Sequence, residues 1–292
     1  LDLVSLYKEL LDVSVASQFK GMDTVAAYVC SHCSFEYFNP LTAGDESFYE
    51  QLKEKRTAYY RPDRKEFMYA EKYITDTDKI LEIGSGNGLF ATRLRKENYI
   101  GLEFNDRAIT DAASQGIKLL KQSVEDFAVT SQQQFDVVCS FHVLEHVTNP
   151  YAFIKSKISL LKTGGTLIIA VPCNDSIYTS NYNHVLNLPP HHIGRWRIKT
   201  MQSLETLFPI ECVDFSITSS NPNINKRDYI AEIKTQQKVA ALNSEKRYIL
   251  DSSILKQARK WTYRFNKYFG LYHFYPNKRV IGENMTFVFK KK

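Results

Sequence analysis

The chain has 292 residues, 43% of them hydrophobic and 24% charged, with 12 Gly, 9 Pro and a mean hydropathy of −0.33. Those figures exclude disordered, collagen-like and low-complexity classes, and a soluble chain of this size buries about 75% of its unfolded surface without needing a disulfide or metal to hold a core. The formal net charge of +6 is uneven: Pro222 to Val280 carries 13 Lys and Arg against 4 acids, a net of +9, so an anionic partner belongs to that segment.

The first residue is Leu, from which a few natural residues are expected to be missing; no secretory signal is visible at this start. The longest apolar run, Leu167 to Val171, is far short of the ~20 residues that span a bilayer. Residues 1–60 read as a helical cap with Cys30-Ser31-His32-Cys33, and residues 61–292 as the main α/β body. Two cysteines are half of the four ligands of a closed zinc site, and Cys139, Cys173 and Cys212 fall in core stretches. No residue is therefore assigned as a metal ligand. Five cysteines are no disulfide framework, and reduced thiols favour a cytoplasmic setting.

From Lys79 short apolar runs alternate with helical spacers, as in repeated βαβ units. Strands are predicted at Lys79–Ile83, Asn98–Glu103, Gly116–Leu120, Phe135–Ser140 and Gly165–Val171, then at Pro209–Thr218 and Glu283–Phe289. A helix is predicted from Leu89 to Lys96 and another opened by Thr200. Between the last two strands, Ile254, Ala258, Trp261, Phe265, Tyr268 and Tyr272 fall on one helical face, with Lys and Arg off that stripe. This predicts a basic helical insertion at about 222–280 that packs on the core. A membrane-surface contact or a groove for a phosphorylated sugar or nucleic acid are the sharper readings, and no RNA-reader signature is present.

Ile80-Leu81-Glu82-Ile83-Gly84-Ser85-Gly86-Asn87-Gly88 reads as strand, then glycine turn. Glycines there bring main-chain N–H groups close to a ligand. The spacing Gly84, Gly86, Gly88 departs from the dinucleotide pattern Gly-x-Gly-x-x-Gly, since position 89 is Leu. Glu103 closes the second strand, where a carboxylate can accept hydrogen bonds from ribose hydroxyls.

These segments, with Gly101-Leu102-Glu103, Ser123-Val124-Glu125-Asp126, Phe135-Asp136-Val137-Val138, Leu144-Glu145-His146-Val147 and Leu161-Lys162-Thr163-Gly164-Gly165, resemble in order the motifs of class I S-adenosylmethionine-dependent methyltransferases over about residues 55–220. The run Asn187-Leu188-Pro189-Pro190-His191-His192 with Arg195-Trp196 resembles a loop of one branch, whose relatives carry a zinc-binding head with two Cys-x-x-Cys pairs. The resemblance implies a Rossmann-like doubly wound seven-stranded sheet, ordered 3-2-1-4-5-7-6 with the last strand antiparallel. It implies S-adenosyl-L-methionine as cofactor, held by Glu82, Gly84, Ser85, Gly86, Gly88, Glu103, Phe104, Val124, Glu125 and Ser140.

For chemistry at the acceptor, His191 and His192 are the candidate general bases, with His142 next because ligands bind at strand carboxyl ends. Arg195 and Trp196 could hold an anionic or planar acceptor, or merely anchor the loop. His142-Val143-Leu144-Glu145-His146 also satisfies the His-x-x-Glu-His pattern of a zinc peptidase, but it directly follows a strand inside the methyltransferase motif. The sequence thus points to a methyltransferase acting on a small-molecule or sugar-type acceptor, anionic or lipid-linked. Two alternatives stand beside it: a silent scaffold that binds nucleic acid or a membrane surface, and a nicotinamide-dependent oxidoreductase. The residues say nothing of oligomeric state.

Overall fold

The computed structural model describes residues 2–55, 64–132, 134–176, 184–218, 260–261, 264 and 282–292. The predicted basic insertion lies largely outside them; of its stripe only Trp261 is described, in helical conformation beside Lys260.

The α/β body is a seven-stranded sheet. Its strands are β3 (Ile80–Ile83), β4 (Tyr99–Leu102), β5 (Leu119–Leu120), β6 (Phe135–Phe141), β7 (Leu161–Pro172), β9 (Ile210–Thr218) and β10 (Asn284–Lys291). Their spatial order is β5-β4-β3-β6-β7-β10-β9. The first five are mutually parallel, and β10 runs antiparallel to both β7 and β9. This is the order and the antiparallel strand expected from the sequence. It puts the carboxyl ends of the parallel strands and the start of β10 along one edge, with Asn284 opposite Pro172.

β3 is buried throughout, because helices cover both faces of a parallel sheet. Period-two alternation sends Leu81, Ile83 and Val138 to one core, shared with Phe153 and Ile154, and Ile80, Val137 and Cys139 to the other. Local signals start the covering helices. α4 (Asp106–Ala113) is capped by Asn105, whose side chain accepts from Ala108 N at 2.9 Å; α5 (Val124–Thr130) is capped by Ser123. α6 (Pro150–Ser159) has Asn149 as its cap and a proline in its first turn.

The predicted helix Leu89–Lys96 does not form. Two 3₁₀ turns, Ala91–Arg93 and Lys96–Asn98, stand there instead. Gly84, Gly86 and Gly88 all have φ between 56° and 75°, and the turn they open runs on through Leu89 and Phe90, the first residues of the predicted helix. The remainder is tied sideways, by Arg93 to Glu71 and by Asn98 Nδ2 to the Asp76 carbonyl. Nor does Thr200 open a helix: it lies inside α7 (Ile198–Gln202), followed by α8 (Leu204–Leu207).

The N-terminal segment holds α1 (Asp2–Leu11), α2 (Glu46–Lys55) and a hairpin of β1 (Ala26–Val29) and β2 (Glu36–Asn39), with Cys30 and Cys33 in its turn. β2 also pairs with β8 (Gly194–Arg195), so residues of the Pro-Pro-His-His loop complete the small sheet. The Tyr7 hydroxyl donates to the carbonyls of Val185 and Leu188, at 2.7 and 2.9 Å. Leu3, Leu6, Phe48 and Leu52 share a core with Val185 and Leu188. A last helix, α3 (Lys65–Ala70), crosses β9 and β10 at the sheet's carboxyl edge.

Candidate active site

The glycine turn leaves β3 at that edge. A Cβ on Gly84 would come within 2.4 Å of Val143 Cγ2, so only glycine lets the loop pack on the segment after β6. Glu103, half-buried, binds the loop from the next strand. Its carboxylate accepts from Gly86 N at 2.8 Å and from Phe104 N and Asn105 N, both at 2.9 Å. Beside it the Phe104 ring is 62% exposed. The buried Asn87 Oδ1 in the same loop has no hydrogen-bond partner among the described residues. An exposed ring, an acid and an unsatisfied loop amide beside a glycine cradle fit an adenosine with a polar tail.

Glu82 lies beneath the loop, buried and accepting from the Tyr99 hydroxyl. Burial pushes its carboxyl up to about 8, although the Tyr99 hydrogen bond and the Arg64 charge pull the other way. Glu125 is half-buried in the first turn of α5. Two other candidates are placed otherwise than a side-chain contact requires. Val124 is buried in the core. The Ser140 hydroxyl accepts from Lys157 Nζ at 2.6 Å, because strand alternation aims it toward α6; only main-chain atoms of Ser140 are left for a ligand. Burial depresses the Lys157 ammonium to about 7.

On the other side of Val143 stands a cluster of histidines and acids. His142 directly follows β6 with φ 58°, a left-handed conformation unusual for a non-glycine residue. Its Nδ1 is 3.5 Å from Glu145 Oε1 and its Nε2 4.0 Å from Glu66 Oε1, with the side chain 22% exposed. Glu66, on α3, also accepts from Thr218 Oγ1 and Asn284 Nδ2. Burial alone would raise its carboxyl; the His142 charge and these hydrogen bonds outweigh that and hold it below the ordinary value.

His191 and His192 are 7% and 8% exposed and pack against His146. Burial, and then the neighbouring imidazoles, push His192 well below the ordinary histidine value. The Tyr49 ring of α2 closes over His146 and His191. After β6 the chain forms a 3₁₀ turn, Leu144–His146, so His142 and His146 do not share a helical face as a zinc-peptidase pair would. Arg195 and Trp196 are corrected to anchors. Arg195 pairs with buried Glu36 at 2.7 Å, and Trp196 is buried against Phe35.

Sequence reading missed Glu66, Tyr49 and Glu36, the partner of Arg195. Each of the three lies in an aromatic- and charge-rich N-terminal stretch, and only tertiary folding brings it to its partners.

Comparisons with known proteins agree with this layout. A family profile described as a methyltransferase domain matches residues 52–221. A ubiquinone biosynthesis O-methyltransferase of Vibrio vulnificus is 35% identical over 95 residues, 30% of this chain and 40% of that protein. A mitochondrial ubiquinone biosynthesis O-methyltransferase of Dictyostelium discoideum is 28% identical over 109 residues, 31% of this chain and 34% of that protein. The chain thus spans less than half the length of these curated relatives. A crystal structure of a SAM-dependent methyltransferase from Archaeoglobus fulgidus superposes with a TM-score of 0.56 at 15% identity, over 84% of this chain and all of that one, and shares the fold.

Proposed function

The chain belongs to the class I S-adenosylmethionine-dependent methyltransferases, with S-adenosyl-L-methionine as cofactor, and from that premise we propose that it methylates a hydroxyl of a small-molecule acceptor with His142 as general base. The observation that carries this reading is His142 itself. It is a strained residue at the carboxyl end of a central strand, next in sequence to the Val143 that packs on the glycine turn, and it is flanked by two acids. Strain of this kind costs about 1–3 kcal/mol and persists where the surroundings enforce it, often at functional sites. The two relatives named O-methyltransferases support oxygen as the receiving atom.

Bound at the glycine turn, the cofactor supplies a methyl group already activated by its sulfonium. The chain's own residues then hold and align. In this reading Glu103 takes the ribose hydroxyls, Phe104 stacks on the base, Glu125 reaches the exocyclic amine and Glu82 faces the ammonium. An acceptor hydroxyl must shed its proton as the new carbon–oxygen bond forms. His142 Nε2 receives it, and the Glu145 and Glu66 carboxylates favour the resulting imidazolium. His191 and His192 suit the base role less, since each is under 10% exposed, against 22% for the His142 side chain.

The test is release of S-adenosylhomocysteine from catechol-, phenol- and sugar-type acceptors. Turnover with at least one that is lost in His142→Gln supports the proposal. Turnover unchanged in that variant sinks the assignment of the base.

A further inference from the structure

His146, His191 and His192 form a cluster that the methyl-transfer reading does not use. Their ring centroids are 4.5–5.0 Å apart, and one nitrogen of each lies within 4.8 Å of the others. In each ring Nδ1 is bound to an oxygen. His146 Nδ1 meets the His191 carbonyl, His191 Nδ1 the Leu186 carbonyl at 2.8 Å, and His192 Nδ1 the Asn187 Oδ1 at 3.1 Å. A carbonyl oxygen only accepts, so Nδ1 carries the proton and the lone pair of each neutral ring is on Nε2.

The His192 tautomer is set by a buried relay. Glu36 holds Arg195 Nη1, and Arg195 Nε donates to Asn174 Oδ1 at 3.1 Å. Arginine has only donors, so that atom is an oxygen; Asn187 Nδ2 then donates to it at 3.0 Å and leaves Oδ1 to accept from His192. Oxygen partners of this kind on the far nitrogen orient metal-ligating histidines and fix their tautomer.

A carboxylate stands beside the lone pairs. Glu145 Oε1 is 3.9 Å from Nε2 of both His146 and His192, and its other oxygen, buried, has no hydrogen-bond partner among the described residues. Lone pairs and a carboxylate facing one another repel unless a cation lies between them.

We propose that His146, His191 and His192 bind one divalent transition metal of the zinc class through their Nε2 atoms, with Glu145 supplying the balancing negative charge. Bonds of about 2.0–2.1 Å in tetrahedral geometry place ligand atoms roughly 3.3 Å apart. The ligand atoms lie within 4.8 Å of one another, so the widest separation closes by up to about 1.5 Å, shared between two rings, when an ion is bound. Three imidazoles exclude magnesium and calcium, which take oxygen ligands, and three protein nitrogens leave one position open. The Cys30–Cys33 pair lies in a different part of the fold, in the β1–β2 turn.

The experiment uses the untagged full chain, stripped with chelator and titrated with Co²⁺ and Zn²⁺, with metal content read by elemental analysis. The expected result is one ion per chain at micromolar concentration or below. The cobalt form should show the visible bands of four-coordinate nitrogen–oxygen ligation and no thiolate charge-transfer band. Cys30→Ser/Cys33→Ser should keep the ion. His192→Gln should lose at least 10-fold in affinity while still binding S-adenosylhomocysteine, which shows that it folds, and Asn187→Leu, which frees the His192 ring, should weaken binding less. No stoichiometric metal in the parent, a thiolate band, or retention of metal in a folded His192→Gln overturns the proposal.

Discussion

The two sides of Val143 are built in opposite ways. The glycine-loop side comes from one run of sequence, residues 80–125, and presents mainly main-chain groups, Glu103 and an exposed Phe104 ring. The histidine side is assembled from α3, the end of β6, the loop through His192 and the N-terminal cap, and it is mostly buried. A site that binds the same ligand in every member of a family can be made from local backbone geometry. A site that must suit a particular acceptor is made from side chains brought in by separate elements, and those are free to differ.

If the two sides divide the labour, removing a group should hurt one function only. The largest effect is expected from His142→Gln. Loss of a general base should cut turnover by about 10²–10⁴-fold, while cofactor affinity moves by less than about threefold, under ~0.7 kcal/mol. Steady-state kinetics with any accepted substrate, alongside calorimetry, reads both numbers.

Glu103→Ala should come next. Losing charge-assisted hydrogen bonds to the cofactor costs roughly 1.5–3 kcal/mol, about 10- to 150-fold in affinity. The variant also frees the amides of Gly86, Phe104 and Asn105, so its loop should exchange amide hydrogens faster.

Smaller is a pH effect at Glu82. Burial raises this carboxyl to about 8, so it is mostly protonated at pH 7 in the free protein. Its contribution to stability is full below the unfolded carboxyl value and is lost as pH rises through about 8. A cofactor ammonium favours the ionised form. Affinity for S-adenosylhomocysteine should therefore climb between pH 6 and 8, by at most about tenfold per pH unit, with release of a proton on binding. Calorimetry in buffers of different ionisation enthalpy measures that proton; a flat profile with no release would separate Glu82 from the ammonium.

Smallest is Tyr7→Phe, which removes one donor from the carbonyls of Val185 and Leu188 beneath the cap; each keeps a main-chain donor, Leu188 N for the first and His191 N and His192 N for the second. It should lower unfolding free energy by about 0.5–1.5 kcal/mol in denaturant titration with little change in cofactor affinity.

What could be read from the sequence follows the same division. The strands were legible as short, mostly apolar runs alternating with helical spacers, their order only through the resemblance to the methyltransferase family, and the glycine turn because three left-handed positions require glycine where they stand. The helix after the turn was misread because apolar spacing cannot show that the turn consumes its first residues. His191 and His192 were legible as a pair but not as neighbours of His146, since that contact depends on how the loop folds back under Tyr49. Glu66 carried no local signal at all; its partners Thr218, Asn284 and His142 lie on three other strands or strand ends.

The separation of the two sides is tested most directly by calorimetric binding of S-adenosylhomocysteine to Glu103→Ala, to His142→Gln and to the double variant. The account predicts that Glu103→Ala alone carries the loss, that His142→Gln binds like the parent, and that the double variant shows a coupling energy below about 0.5 kcal/mol. A tenfold loss in His142→Gln, or tight binding retained by a folded Glu103→Ala, would contradict it.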